Sequence, residues 1–349
     1  MSRPVDEGVP RYRSLCLTVT WRWLAAGGCL VALLAAGSWL ERPFQHPTSA
    51  NQRSAPTASC RLPVYLTGSK IGGFLTVPGY NFTRDRNAPD GSRSYDAVLG
   101  KWLPVDPRLV SRDGKWWTYQ TPTDPSRSGP STIHLVDQGG VDRTVWTGDG
   151  LAALIGWTDQ GAVFVHTSAA LHYVVEYWLI QAPFGTLRSL PAIAGDSLGT
   201  DASGRWTMRD LPTSPAADSN APLRWTLSRT DISTGATVTW WDGTIPGLVQ
   251  LLGFDANEHP VLRIVPDAAN HDRLVVLAAP RTETEIVGDA ALINLFPSTI
   301  VGDQHGIWFG DANGVVWLWT SKNGLQRVAA PPTYAGDQPG FAAIAGPCR

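Results

Sequence analysis

Asp303-Gln304-His305-Gly306-Ile307-Trp308-Phe309-Gly310 reads as a tight turn followed at once by a β-rich run. Asp favours turns because its side chain bonds its own backbone two residues on, and Gly because it tolerates left-handed backbone. The same event recurs upstream at Asp113-Gly114, Asp159-Gln160-Gly161, Asp201-Ala202-Ser203-Gly204 and Asp255-Ala256-Asn257, in steps of 46, 42, 54 and 48 residues. A strand follows each turn (KWWTYQTP, AVFVHT, RWTMRDL, PVLRIVP, IWFGD) and another precedes it (RLVS, AALIGW, a weak one near Ser197–Thr200, VQLLGF, STIVG). Two further strands complete each unit, as in STIHLVD then RTVWTG. Four strands per unit of 40–50 residues is the period of a propeller blade.

The stretch before Asp113 fits the same unit: RLPVYLT, a turn at Ser69–Gly72, GFLTVPG, SYDAVL and KWLPV. Six units lie between Cys60 and about Pro331. The expected fold is therefore all-β, a six-bladed β-propeller with four-stranded blades. A pair of β-sandwiches is the rival, although it would show no fixed period. Seven blades stay open, because Gly340–Gly346 can form an inner strand of its own.

The composition agrees. Of 349 residues 43% are hydrophobic and 9% aromatic, against 17% charged, which is a folding composition. The 35 glycines and 27 prolines demand many turns and disfavour long helices. The net charge is −2, divided as +3 over residues 1–53 and −5 over the rest. No basic run exists to neutralise phosphates, so nucleic acid is not an expected partner.

From Trp23 to Leu40 runs WLAAGGCLVALLAAGSWL, 18 residues without a charge. As a helix it would be about 27 Å long, close to the bilayer core. Trp21 and Trp23 at one end and Trp39 at the other are interface residues. Four basic residues precede the span and fewer follow it, so the bias of positive charge toward the cytoplasm puts the N-terminus inside. The expected organisation is a cytoplasmic segment over 1–20, a transmembrane helix over 21–40, a Pro/Ser/Thr linker over 41–59 and an extracytoplasmic propeller over 60–349. The lipid bilayer is thus an expected partner. Cleavage as a signal peptide, after Ala35-Ala36-Gly37 or Thr48-Ser49-Ala50, is the alternative.

Of the four cysteines only Cys60 and Cys348 lie in the external part, at its first and second-to-last residues. Two cysteines bracketing one domain in an oxidising compartment predict a disulfide across the point where the ring must close.

Ser111-Arg112-Asp113-Gly114-Lys115-Trp116-Trp117-Thr118-Tyr119 resembles the S-x-D-G-K-x-x-x-Y repeat of TolB-type propellers, with Arg112 where proline is usual. The Asp303–Gly310 stretch resembles the D-x-x-G-x-W-x-G repeat of sensor-type propellers. The layout of anchor, linker, Cys-Leu-Pro-Val-like opening and Ala-Gly-Pro-Cys close is similar to membrane-anchored exported bacterial propellers. The resemblance implies a fold and no activity.

Chemistry-bearing motifs are scarce. No CxxC, HxxH, HExxH, GxSxG or phosphate-binding loop occurs, so no metal, no cofactor and no catalytic set is expected. Thirteen of the sixteen tryptophans fall in the external part. Trp116-Trp117 and Trp240-Trp241 point to opposite faces of their strands and suit packing between sheets better than sugar stacking. Glu176-Tyr177 on YVVEYWLI and the histidines His166 and His172 are the remaining candidates for a sialidase-like carbohydrate hydrolase.

The expected function is a binding module with a protein or carbohydrate partner outside the membrane, and not an enzyme. The first-to-second-strand turns are short (Ser69–Gly72, Arg112–Lys115, Thr158–Gly161, Asp201–Arg205, Asp255–His259, Asp303–Gly306). The second-to-third connections are longer, including Tyr80–Ser94, Pro122–Pro130, Pro212–Ala221 and Asp267–Asp272. Insertions gathered on one face mark a binding face. The expected docking rim therefore carries Arg84, Asp85, Arg86, Asp124, Arg127, Asp210, His271 and Asp272.

Overall fold

The computed structural model describes residues 59–68, 70–79, 81–121, 130–168, 174–193, 195–213, 222–265, 272–287, 295–311, 314–329 and 342–349. The expected cytoplasmic segment and transmembrane helix, and the linker apart from residue 59, lie outside them. Among the described residues no helix is long and apolar enough to cross a membrane.

The described residues are all-β, folded into seven antiparallel sheets. Sheet I opens with β1 (Cys60–Leu66), β2 (Ile71–Val77) and β3 (Asn81–Arg84). A separate hairpin follows, β4 (Ser94–Asp96) and β5 (Lys101–Leu103). Sheet II holds β6 (Trp116–Thr121), β7 (Ser131–Asp137) and β8 (Asp142–Gly148), with a single bridge from Val110 to Trp117 on the free edge of β6. Sheet III holds β9 (Leu151–Thr158), β10 (Gly161–Ser168), β11 (Val174–Gln181) and β12 (Thr186–Leu190). Sheet IV holds β13 (Asp196–Thr200), β14 (Gly204–Pro212), β15 (Leu223–Asp231) and β16 (Thr237–Ile245). Sheet V holds β17 (Leu248–Phe254), β18 (Pro260–Val265), β19 (Arg273–Ala279) and β20 (Thr282–Val287). Sheet VI holds β21 (Leu295–Asp303), β22 (Gly306–Asp311), β23 (Val316–Thr320) and β24 (Gly324–Ala329). The last strand, β25 (Ala342–Ile344), returns to sheet I and pairs with β1, Val64 opposite Ile344 and Leu66 opposite Ala342.

Sheets III to VI are up-and-down meanders. Their first strands touch in series, β9 on β13, β13 on β17, β17 on β21 and β21 on β25. Sheets placed side by side about a set of inner strands make a β-propeller.

The recurring Asp turn has a hydrogen-bond cause. Asp201 Oδ1 accepts the backbone N–H groups of Ser203 (2.9 Å) and Gly204 (2.7 Å), and Oδ2 accepts the Trp206 indole N–H (2.7 Å). Asp303 repeats the device on the His305 N–H (2.8 Å) and the Trp308 indole (2.8 Å). One carboxylate shapes the turn and locks a tryptophan five residues on, and both indoles are fully buried. At the Asp113 turn the backbone of Gly114 lies in the left-handed region at φ 67°. A Cβ there would also stand 2.9 Å from both carboxylate oxygens of Asp96, so only glycine fits.

The core is divided between neighbouring sheets. Ile133 and Leu135 of sheet II pack against Leu154, Phe164 and Ile180 of sheet III. Trp206 and Trp241 of sheet IV pack against Leu262 and Val275 of sheet V. Leu62, Val64 and Ile344 of sheet I pack against Trp308 and Leu318 of sheet VI. Trp116 belongs to the layer between sheets II and III, but the expectation of opposite faces fails at Trp240-Trp241, which both belong to the layer between IV and V because a bulge at Trp240 interrupts the alternation of β16. A fully buried Trp contributes gross hydrophobic burial of about 4–6 kcal/mol, so Trp206 and Trp308, the largest fully buried side chains of these layers, are prominent contributors to them.

The disulfide is present between Cys60 and Cys348, with Cα atoms 5.5 Å apart at a sequence separation of 288. The Arg61 N–H donates to Arg349 O (2.7 Å) and the Ala345 N–H to Pro63 O (2.9 Å), which extends the β1–β25 join.

The first unit is corrected. Its expected third and fourth strands, SYDAVL and KWLPV, form the β4–β5 hairpin instead of completing sheet I. The edge of β1 that they would leave free is taken by β25, and Trp102 and Tyr95 of the hairpin pack on Phe74 and Tyr65 of sheet I. The β1–β2 turn is thus a second-to-third connection and lies at the opposite end of its sheet from the Asp turns.

Candidate functional site

The first-to-second-strand turns of sheets II to VI gather at one end of the inner strands. There the Arg112 guanidinium, on the turn before β6, pairs with the Glu258 carboxylate on the β17–β18 turn, three sheets away. Arg112 also lies 3.5 Å from Asp159 on the β9–β10 turn. The Asp159 N–H donates to Ala202 O (2.7 Å), and the Ala202 N–H donates to Glu258 (3.2 Å). Four turns are therefore linked by one polar network. Arg112 and Asp159 are solvent-exposed, so each ion pair taken singly is worth little, and what the set supplies is registration of the turns.

Next to this network is a cavity of about 240 Å³ among the inner strands. Leu198, Leu251, Phe254 and Ile300 give it an apolar wall, and Asp106, Arg108 and Thr200 a polar one. Asp106 is positioned by its own turn, accepting the Arg108 N–H at 3.1 Å, and its carboxylate stands 3.6 Å from the Arg108 guanidinium. The same end carries further cavities between sheets, about 470 Å³ between II and III and about 510 Å³ between V and VI.

The candidate rim residues that are described fall at the other end of the strands. Asp210 is exposed near the end of β14, and Asp272 precedes β19. Arg84 ends β3 opposite Gly73, beside the β1–β2 turn, which puts Arg84, Asp85 and Arg86 at that end as well. Arg84 and Arg86 are exposed. Asp85 accepts the Trp102 indole N–H (3.0 Å) and the Asn87 N–H (2.9 Å), while Asp272 accepts the Arg263 Nε–H (2.8 Å), so these two carboxylates brace the fold. Asp124, Arg127 and His271 lie outside the described residues, as does His172. The surrounding protein and then the negative charge of Asp210 hold the Asp196 carboxyl above the usual carboxylate range. His166 Nδ1 is 3.4 Å from Glu176 and its Nε2 2.7 Å from Asp149 O, while Tyr177 is buried beneath the Arg205 guanidinium. Among the described residues no group of three His, Cys, Asp or Glu side chains is placed to hold a metal ion.

Sequence reasoning missed Arg112, Glu258 and His259. The available signal was local: Asp255 begins a turn like Asp201 and Asp303, but position 260 is Pro where they have Trp.

No protein-family model matches the chain, and a comparison with curated proteins finds no significant match. Among solved structures, the β-propeller domain of the Trilobed protease from Pyrococcus furiosus is 10% identical over 74% of this chain and 76% of that one, at a TM-score of 0.43. An oligogalacturonate lyase in complex with manganese is 13% identical over 69% and 70%, at 0.39. The periplasmic gluconolactonase PpgL of Pseudomonas aeruginosa is 11% identical over 82% and 99%, at 0.35. These neighbours correct the expectation that the chain is not an enzyme: chains similar to it include ones named as a lyase and a gluconolactonase, so a propeller of this kind is no ground for excluding catalysis. The activities named are those proteins' own.

Proposed function

We propose that this chain is a membrane-tethered, extracytoplasmic β-propeller that binds a small amphipathic molecule in the chamber among its inner strands. In this reading sheets I to VI are six blades, the β4–β5 hairpin is an insertion between the first two, and residues 21–40 cross the bilayer with the N-terminus in the cytoplasm. The observation that supports it is the chamber of about 240 Å³, apolar on one wall and carrying Asp106 and Arg108 on the other. Apolar enclosure with a few convergent polar groups is what small-molecule sites share. The volume suits a compact ligand with an apolar body and one charged or hydrogen-bonding head.

The test is a thermal-shift screen of small amphipathic acids and amines, repeated on Leu251→Trp, which narrows the chamber. A ligand at a hundred times its dissociation constant adds about 2.7 kcal/mol of stability. At about 2–4 °C per kcal/mol this is a melting shift of several degrees. Hits should appear with the unaltered protein and vanish with Leu251→Trp. The reading fails if no compound shifts the melt, or if the variant keeps the shift.

A second reading rests on the raised pKa of Asp196 beside Asp210. A carboxyl whose pKa is raised by burial and a neighbouring carboxyl is the arrangement of carbohydrate-hydrolase acid pairs. Under it, Asp196→Asn abolishes cleavage of aryl glycosides. Asp210→Asn removes the like charge, lowers the Asp196 pKa and moves the alkaline limb of the pH–rate profile to lower pH. Absence of cleavage by the unaltered protein across a glycoside panel ends this reading.

A further inference from the structure

We infer that the cavity between sheets V and VI is a saccharide site, distinct from the inner-strand chamber, with His259 as its hydrogen-bonding centre. The inference begins from a break in the repeat. At the Asp201 and Asp303 turns the second carboxylate oxygen holds a buried indole N–H at 2.7 and 2.8 Å. At Asp255 that oxygen holds His259 Nδ1 instead, at 2.9 Å, while Oδ1 keeps the turn through the Asn257 and His259 N–H groups, each at 2.8 Å. The structural job of the brace is done, but by a ring with a second nitrogen. Among the described residues Nε2 has no partner, and the ring lines the cavity of about 510 Å³ rather than the core. An imidazole whose Nδ1 is fixed by a carboxylate presents Nε2 in one orientation.

The lining selects the ligand class. It offers the side-chain amides of Asn257 and Gln304 and the hydroxyls of Thr284, Thr320 and Ser321. Trp319, largely buried in the core between sheets V and VI, lines it, and among the described residues neither Lys nor Arg does. Amides and hydroxyls both donate and accept, which matches the alternating hydroxyls of a sugar. A phosphate or carboxylate ligand would meet Asp255 and Asp303 with no permanently charged Lys or Arg to offset them. The volume lies within the range of small-ligand pockets and accommodates one or two sugar rings.

The experiment is saturation-transfer NMR, followed by titration calorimetry, with maltose, cellobiose, lactose and N,N′-diacetylchitobiose as probes on the full external domain in its folded, disulfide-bonded form. At least one disaccharide should give transfer signals. The double variant Asn257→Ala/Gln304→Ala changes two exposed side chains and should weaken its binding at least tenfold with an unchanged melting temperature. His259→Phe keeps ring shape, removes both nitrogens and should weaken it as much. The inference is overturned if none of the four sugars gives a signal, or if the one that binds does so with undiminished affinity to the double variant. Neither outcome depends on the inner-strand chamber, so each site stands or falls alone.

Discussion

Asp201 accepts five hydrogen bonds, from two backbone N–H groups, the Trp206 indole and two nitrogens of Arg229 at 2.6 and 2.8 Å. Burial alone would raise its pKa, but the Arg229 hydrogen bonds, the Ser203 N–H and the Arg229 charge outweigh burial and hold it below the ordinary 3.8. A carboxylate whose folded pKa is depressed contributes stability that is complete above its unfolded pKa and is lost as pH falls through the folded one. Asp201→Asn should therefore cost about 2–4 kcal/mol at pH 7 by leaving Arg229 unpaired and breaking charge-assisted bonds. It should also flatten the loss of stability that the unaltered protein shows below about pH 4. Urea unfolding at pH 7 and pH 3 checks both. The turn was legible because its cause is local: an Asp, two N–H groups and a Trp within six residues. The Glu258 partnership with Arg112 was not, because nothing near Arg112 in the sequence marks a carboxylate three sheets away.

At the scale of elements, the sequence reading found most of the strands, read β3 as part of the Tyr80–Ser94 connection and misplaced two others. SYDAVL and KWLPV do form β4 and β5, since alternation and turn residues are local properties. Which edge a strand joins is decided by what else competes for it: β3 takes the edge of β2 that SYDAVL would have joined, and β25 arrives from the far end of the chain to take the edge of β1. The hairpin is then held by one backbone bond, from the Tyr95 N–H to Ala345 O at 2.7 Å, and by side chains. Trp102 is 6% exposed, lies 5.3 Å from the Tyr95 ring and 5.9 Å from Phe74, and donates its indole N–H to Asp85 at 3.0 Å. Trp102→Ala should cost about 3–5 kcal/mol, the usual range for emptying a buried aromatic site. Because β4 and β5 pair only with each other and not with a strand of sheet I, far-ultraviolet circular dichroism should keep its β signal while the melting temperature falls.

Over the whole molecule, ring closure combines a short strand with a covalent bond. The Cys pair was readable from position alone, since Cys16 and Cys29 fall within residues 1–40 and only Cys60 and Cys348 bracket the propeller. The strand between them was readable only as an alternative, because Gly340–Gly346 is too short to declare its partner. Closing a loop of 288 residues is worth about 5–6 kcal/mol by the chain-entropy argument, an upper figure for measured disulfides. Cys348→Ser should still fold through β1–β25 pairing but melt lower. Reductant should bring the unaltered protein to the same melting point and leave the variant unmoved, which calorimetry reads directly. The position of this bond also fixes how the domain carries tension. A pull on the chain before Cys60 reaches Cys348 through sulfur before it reaches the hydrogen bonds of β1, so both edges of the join are loaded together and the strands are sheared as a unit instead of being unzipped pair by pair from one end.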